Sequence, residues 1–209
     1  MLTTYQQFFT KRPTKEIAQD LLGRMLVYDG PKGKVGGWIV ETEAYLGVND
    51  TASHAYGGRH TNYSKSLYGN PGDLYIYQIR SHYCVDIVVQ DQGEPQGILL
   101  RAIEPAINLP LMKQNRSQTG VAISNGPGKL MMALGVQSRA MDGQPMEKSP
   151  LKIELDQRRT PKQIAVSPRI GVNLKQKDGK ALNRFYVAGN PYVSGMRKRD
   201  SDLETHGWR

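Results

Sequence analysis

The sequence predicts an α+β fold, a single domain built on a largely antiparallel β-sheet with few helices. Three observations carry this. Short apolar runs bounded by Gly, Pro, Asn and Asp follow one another with few helical periods between them, as in strands joined by hairpins. The chain has 209 residues and is 38% hydrophobic, enough for one sizeable core or at most two small ones. No repeat or low-complexity segment divides it.

Taken in order, residues 13–22 read as a helix. Pro13 suits the first turn, Ile17, Ala18, Leu21 and Leu22 form one apolar face, and Gly23 ends it. Met25–Tyr28 and a strand through Trp38-Ile39-Val40 flank a turn at Asp29–Gly33, predicting a hairpin. Residues 49–73 carry Gly, Ser, Asn, Tyr and His without a period, and long loops of this kind in compact domains are usually functional or disordered. Strands are expected at Leu74–Gln78, Tyr83–Gln90 and Gly97–Ile103, then a short helix over Pro127–Leu134 stopped by Gly135. Leu151–Leu155, Ile164–Val166 and Phe185–Val187 read as further strands, and residues 195–209 as a basic C-terminal tail, either solvated or in contact with a polyanion.

Composition narrows the function. Twenty-eight Lys and Arg against nineteen Asp and Glu give +9 and an isoelectric point near 9.6, which favours a polyanionic partner. A lone cysteine, Cys84, excludes an internal disulfide and a cysteine-cluster zinc site. The four histidines, His54, His60, His82 and His206, lack a metal-binding spacing. There is no long apolar stretch for a membrane span and no export signal at the N-terminus, so a reduced cytoplasmic compartment without a structural metal is expected.

Several clusters can carry chemistry. On a strand through Ile39–Tyr45, alternation puts Ile39, Glu41, Glu43 and Tyr45 on one face, with Val40 and Thr42 opposite. Two carboxylates in an apolar strand need partners, and pattern alone leaves a rim ion pair and a catalytic acid or base equally open. In Tyr75-Ile76-Tyr77 the tyrosines share a face, which suits core packing and also a platform for a flat base. Arg101 stands in an otherwise apolar strand and calls for a carboxylate such as Glu43 or a phosphate. Asn125-Gly126-Pro127-Gly128-Lys129 is not a P-loop, because Ile123 and Leu130 occupy positions that need Gly and Ser or Thr. What survives is a glycine-rich turn into a helix, where Gly128 and Lys129 could hold one phosphate.

Taken in order, these segments resemble the alkyladenine (3-methyladenine) DNA glycosylase family of bacteria and vertebrates. The resemblance rests on Ile39–Gly47, Ser53-His54-Ala55, Gly72–Tyr77, Leu99–Pro105, Asn125–Leu130, Pro168–Val172 and Arg184–Ser194. It implies a bacterial member with a single mixed domain over residues 1–209 and a curved, largely antiparallel β-sheet flanked by short helices. It also implies a monomeric base-flipping hydrolase acting on double-stranded DNA with alkylated purines, at the bacterial nucleoid. By position Glu43 matches the general base that activates water, and Arg101 an arginine that helps hold base and water. Tyr45, His54 and Tyr77 match residues that sandwich the flipped base or contact its edge. The family needs no metal or organic cofactor, leaves an abasic site, and lacks the amine nucleophile of a strand-cleaving lyase.

The chain departs from the family pattern twice. The run Gln78–Asp86 is short, and leaves Ile79 or Arg80 as the intercalating residue, an apolar wedge favouring Ile79. Asp86 stands where the family usually has an asparagine associated with rejecting bases that carry guanine's exocyclic amine. An aspartate would attract a cationic base or accept from an amine. The expectation is activity on 3-methyladenine and 7-methylguanine, and little on neutral hypoxanthine or ethenoadenine. The rival readings are a non-catalytic lesion-DNA binding protein, an RNA-binding domain resembling formyltransferase C-terminal domains, and a carbohydrate hydrolase using Glu41 with Glu43.

Overall fold

The computed structural model describes residues 1–209 and shows the expected α+β class. Helix α1 is Thr4–Phe8 and α2 is Thr14–Asp20. Strands β1 (Arg24–Gly30) and β2 (Gly33–Tyr45) form the first hairpin. Strands β3 (Leu74–Ile79), β4 (His82–Val89) and β5 (Gln96–Ile107) follow as a meander. Helices α3 (Leu109–Arg116) and α4 (Pro127–Leu134) precede β6 (Leu151–Arg158), β7 (Ile164–Ser167) and β8 (Arg184–Val187).

All eight strands belong to one sheet, and every pairing is antiparallel. The main path runs β3-β4-β5-β2-β1-β6, and β2 is its branch point. Its first half pairs with β1 up to Trp38↔Met25, and Glu41–Glu43 pair with β8, while β5 accompanies both halves. The fork coincides with register shifts between Ile39 and Glu41 and between Glu41 and Thr42, which leave Val40 and Arg101 without a ladder partner. Such bulges bend a strand and re-aim its side chains. Strict alternation therefore fails at Ile39, which packs in the main core with Val40 and Ala44, while Glu41 and Glu43 both reach Arg101.

One face of the sheet carries that main core, into which α2 sends Ile17 and Ala18 and α4 sends Leu130, Met131, Ala133 and Leu134. Burying each leucine of this set contributes roughly 1.5–3 kcal/mol. The other face carries a smaller cluster of Tyr75, Tyr77, Cys84, Val88 and Leu99, covered by Ala55 and Leu67 from the long loop. That loop is not structureless: it makes single 3-10 turns at Gly47–Asn49, Tyr56–Gly58 and Lys65–Tyr68.

Two helices lie outside the expected set. For α1 a signal exists in the Thr3/Gln6 capping box, but its five residues are too short for a periodic pattern. For α3 the signals are Asn108 as N-cap and Pro110 in the first turn. The C-terminal segment does not hang free. Trp208 is buried and its indole N–H donates to Glu104 at 2.7 Å, while Arg197, Lys198 and Arg199 stay exposed. No helix is long and apolar enough to cross a membrane.

Candidate active site

The second face of the sheet is ordered by register. Tyr75 pairs with Asp86, Asp86 with Leu99, Leu99 with Glu43, and Glu43 with Arg184, so one row crosses five strands. Residues opposite one another project on the same side, which brings Glu43 and Asp86, distant in sequence, into one neighbourhood. Above this row lies a cavity of about 640 Å³, within the range of small-ligand sites. Tyr45, His54, Tyr75, Tyr77, Asp86 and Arg101 all contribute to its wall.

Glu41 and Glu43 are both fully buried, and their environments separate them. Glu41 Oε1 accepts from Arg101 Nε at 2.9 Å and Arg184 Nε at 2.6 Å, and Oε2 accepts from the Ser194 amide at 2.8 Å. Burial alone would raise its pKa, but the two guanidinium groups and Ser194 outweigh burial and hold it below the ordinary range. Glu43 Oε1 accepts from the Ile170 amide at 2.7 Å and lies 3.2 Å from Arg101 Nη1, while Oε2 accepts from the Tyr45 hydroxyl at 2.9 Å. Here burial prevails over Arg101, Ile170 and Tyr45, and the pKa is raised. Two neighbouring carboxylates pushed apart in basicity form a pattern common where one is structural and the other transfers protons. Glu43 has no exposed surface of its own. It meets the cavity through Tyr45, Arg101 and Ile170, all of which line the wall.

The aromatic wall is built from β3. The Tyr75 and Tyr77 rings stack at 4.9 Å, and His54 presents its edge to Tyr77 at 4.8 Å. His54 Nδ1 lies 2.8 Å from the Tyr75 hydroxyl. Burial, with Arg59 assisting, lowers the His54 pKa, so the ring is neutral near pH 7. A neutral Nδ1 that accepts from Tyr75 leaves Nε2 as the donor. The contact distance between His54 and Tyr77 leaves no room for a further flat ring between those two rings.

Asp86 is buried in the same wall, and its Oδ1 has no hydrogen-bond partner. Burial pushes its pKa up to about 8; the Tyr77 hydroxyl opposes this and the Glu43 charge adds to it. Such an orphaned polar atom is rare in a folded interior and stands ready for a donor.

The remaining expected residues lie around the mouth. Ile79 and Arg80 sit at the tip of the β3–β4 hairpin, where Arg80 adopts a left-handed φ of 55° and Ile79 is 51% exposed. Both line the cavity, as does Gly128, which abuts His82 at the start of α4. Lys129 is not in the wall; its ammonium donates to Asn125 at 2.8 Å. Two contacts were not legible in the sequence, the Ile170 amide on Glu43 and Arg184 on Glu41, while Tyr75, expected as core or as a platform, is also the partner of His54. Arg184 and Ile170 are supplied by segments far along the chain, and only strand pairing and loop packing bring them here.

The family that the chain matches makes it a DNA glycosylase, an enzyme of base excision repair. The chain belongs to the methylpurine-DNA glycosylase family, whose model matches residues 7–191. It is 52% identical over 202 residues to a protein of Latilactobacillus sakei, covering 96% of this chain and 95% of that one. A protein of Lactobacillus delbrueckii is 49% identical over 208 residues, with 98% and 99% covered. One of Enterococcus faecalis is 40% identical over 202 residues, with 96% and 88% covered. All three bear the name "Putative 3-methyladenine DNA glycosylase". Family membership replaces the formyltransferase-type and carbohydrate-hydrolase readings.

Proposed function

We propose that this protein turns an alkylated purine out of duplex DNA into the cavity and hydrolyses its N-glycosidic bond with water activated by Glu43. The observation that carries the reading is the divided pair: Glu41 held below the ordinary range by two guanidinium groups, Glu43 more basic and next to the cavity. An ionised carboxylate has about four acceptor sites, and the Tyr45 hydroxyl, the Ile170 amide and Arg101 fill three. The remaining site on Oε2 accepts the water's proton as its oxygen bonds to C1′. The C1′–N bond breaks, and its electron pair neutralises the cationic purine. Alkylation at N3 or N7 makes that purine a good leaving group, so no second acid is required, unlike most glycoside hydrolyses.

The aromatic wall favours a cationic, electron-poor base by cation–π attraction. Extrusion costs a few kcal/mol, least where pairing is already poor. No lysine lines the cavity, which supports water rather than an amine as nucleophile, and hence monofunctional action without strand cleavage. The amides of Gly128 and Lys129 at the start of α4 would hold a flanking phosphate. The test is incubation with methylated duplex DNA and mass identification of products. The expected products are free 3-methyladenine and 7-methylguanine with unbroken abasic strands, and release of no base would sink the catalytic reading.

Ile79 is the wedge in this scheme, because it is the exposed apolar side chain at the hairpin tip. Ile79→Ala should slow release from a fully paired lesion about tenfold, and far less from the same lesion opposite a mismatch. Arg80→Ala should instead weaken binding and reduce the salt slope by about 0.9 for each phosphate left unneutralised. Swapped outcomes would make Arg80 the wedge.

A further inference from the structure

We propose that the buried Arg169–Asp50 ion pair is a positioning device for Glu43, setting both hydrogen bonds that aim its carboxylate; this rests on Glu43 being the general base. Arg169 and Asp50 are each 3% exposed. The guanidinium is bidentate on Asp50, Nη1 at 2.6 Å and Nη2 at 2.8 Å. Nη1 also donates to the Ala44 carbonyl at 3.1 Å, and Nη2 to the Asp178 carbonyl at 3.4 Å. Asp50 in turn accepts from the Leu46 and Ala52 amides. One guanidinium therefore joins the end of β2, the loop after it and the segment around residue 178.

Both routes from this pair lead to Glu43. Arg169 directly precedes Ile170, whose amide donates to Oε1. Its guanidinium also lies 4.6 Å from the centroid of the Tyr45 ring, whose hydroxyl donates to Oε2. Removing Arg169 frees the Ile170 loop and the Tyr45 ring together, so the carboxylate loses its aim on both oxygens.

Burial of such a pair is weak grounds for stability, since an apolar pair of similar volume often serves as well. What apolar side chains cannot supply is direction. The five donors of a guanidinium form a fixed fork, which a lysine cannot reproduce. The pair lies behind Tyr45 rather than in the cavity wall, so it acts through Tyr45 and Ile170 and touches no substrate.

The experiment compares wild type, Arg169→Lys, Arg169→Met, Tyr45→Phe and the Tyr45→Phe/Arg169→Lys double variant. Single-turnover release of 3-methyladenine is measured across pH, with binding to a duplex holding a tetrahydrofuran abasic analogue. Arg169→Met is expected to release base at least tenfold more slowly, with binding changed by no more than about twofold. The charged groups facing Glu43 are Glu41, Arg101, Asp86 and Arg169. Losing one cation disfavours the carboxylate, so the ascending limb of the rate profile should move to higher pH in Arg169→Met. Arg169→Lys keeps the charge and should restore the limb more than the rate.

If Arg169 works through Tyr45, Arg169→Lys should cost less in the Tyr45→Phe background than alone. Arg169 variants that bind the analogue and release base at the wild-type rate, with an unmoved limb, overturn the proposal. Should Arg169→Met fail to fold, seen as loss of analogue binding, the Arg169→Lys rate and the double variant decide instead. Release by Glu43→Gln at the wild-type rate would overturn the parent reading, whatever the Arg169 variants do.

Discussion

Glu43→Gln is expected to lose base release by about two to four orders of magnitude, the usual contribution of a general base, while still binding lesion-containing duplex. The substitution keeps the shape and one acceptor oxygen for the Ile170 amide, turns the Tyr45 hydroxyl from donor to acceptor of the new side-chain NH2, and removes the site that takes water's proton. Arg101 keeps Glu41 as a charged partner at 2.9 Å, so no guanidinium is left alone in the interior. The stability change has a definite sign. Glu43 has a raised folded pKa, so the native state holds its proton more tightly than the unfolded chain. Its contribution is fully present below the unfolded pKa and is lost as pH rises through the folded one. Glutamine removes that loss, and the variant should melt no lower than wild type at neutral pH. Loss of release without loss of fold or binding would separate catalysis from structure. Two results decide against the mechanism. Release by the variant at the wild-type rate removes Glu43 from the chemistry. A wild-type protein that binds lesions and frees no base would be the non-catalytic binder.

The sheet and most strands were legible because apolar runs and turn residues report local structure directly. The carboxylates were less so. Alternation offered Glu41 and Glu43 as equivalents, and only the resemblance selected Glu43. The structure supplies a physical ground for that selection in Arg184 and Ser194, which engage Glu41 and leave Glu43 to Tyr45 and Ile170. Both Glu41 partners lie more than 140 residues along the chain, where no local pattern could point to them. Ile39 shows the converse limit. The period of two was right for Glu41, Glu43 and Tyr45, but a bulge at Val40 breaks it, and a bulge leaves no mark in a hydrophobic pattern. Arg101 is legible as a guanidinium in need of a carboxylate, and it has two.

Asp86→Asn should change which bases are released, and the pH dependence of that choice. With its pKa pushed up to about 8, Asp86 is mostly a neutral acid at pH 7. In that form its hydroxyl can donate to a neutral purine's ring nitrogen. A cationic purine favours the carboxylate, so binding one expels the proton, and the apparent affinity rises with pH until the free site ionises near 8. For 3-methyladenine against neutral ethenoadenine, the ratio of kcat/KM in wild type should therefore climb at least tenfold between about pH 6 and pH 9. Glu43 serves both substrates, so its own titration cancels in the ratio. In Asp86→Asn the ratio should be flat, and lower at high pH, because an amide can donate to a neutral base and has no charge for a cation. Stability gives an independent check. A buried acid with a raised folded pKa stabilises fully only below its unfolded value, and the loss runs at up to about 1.4 kcal/mol per pH unit until the folded pKa is passed. Asp86→Asn removes that loss, so its melting temperature relative to wild type should increase from pH 4 to pH 8 and then level off. A wild-type ratio that stays flat with pH, or an equal slope in Asp86→Asn, would take base selection away from Asp86. Selectivity would then rest on the Tyr45, His54 and Tyr77 side chains that line the same cavity.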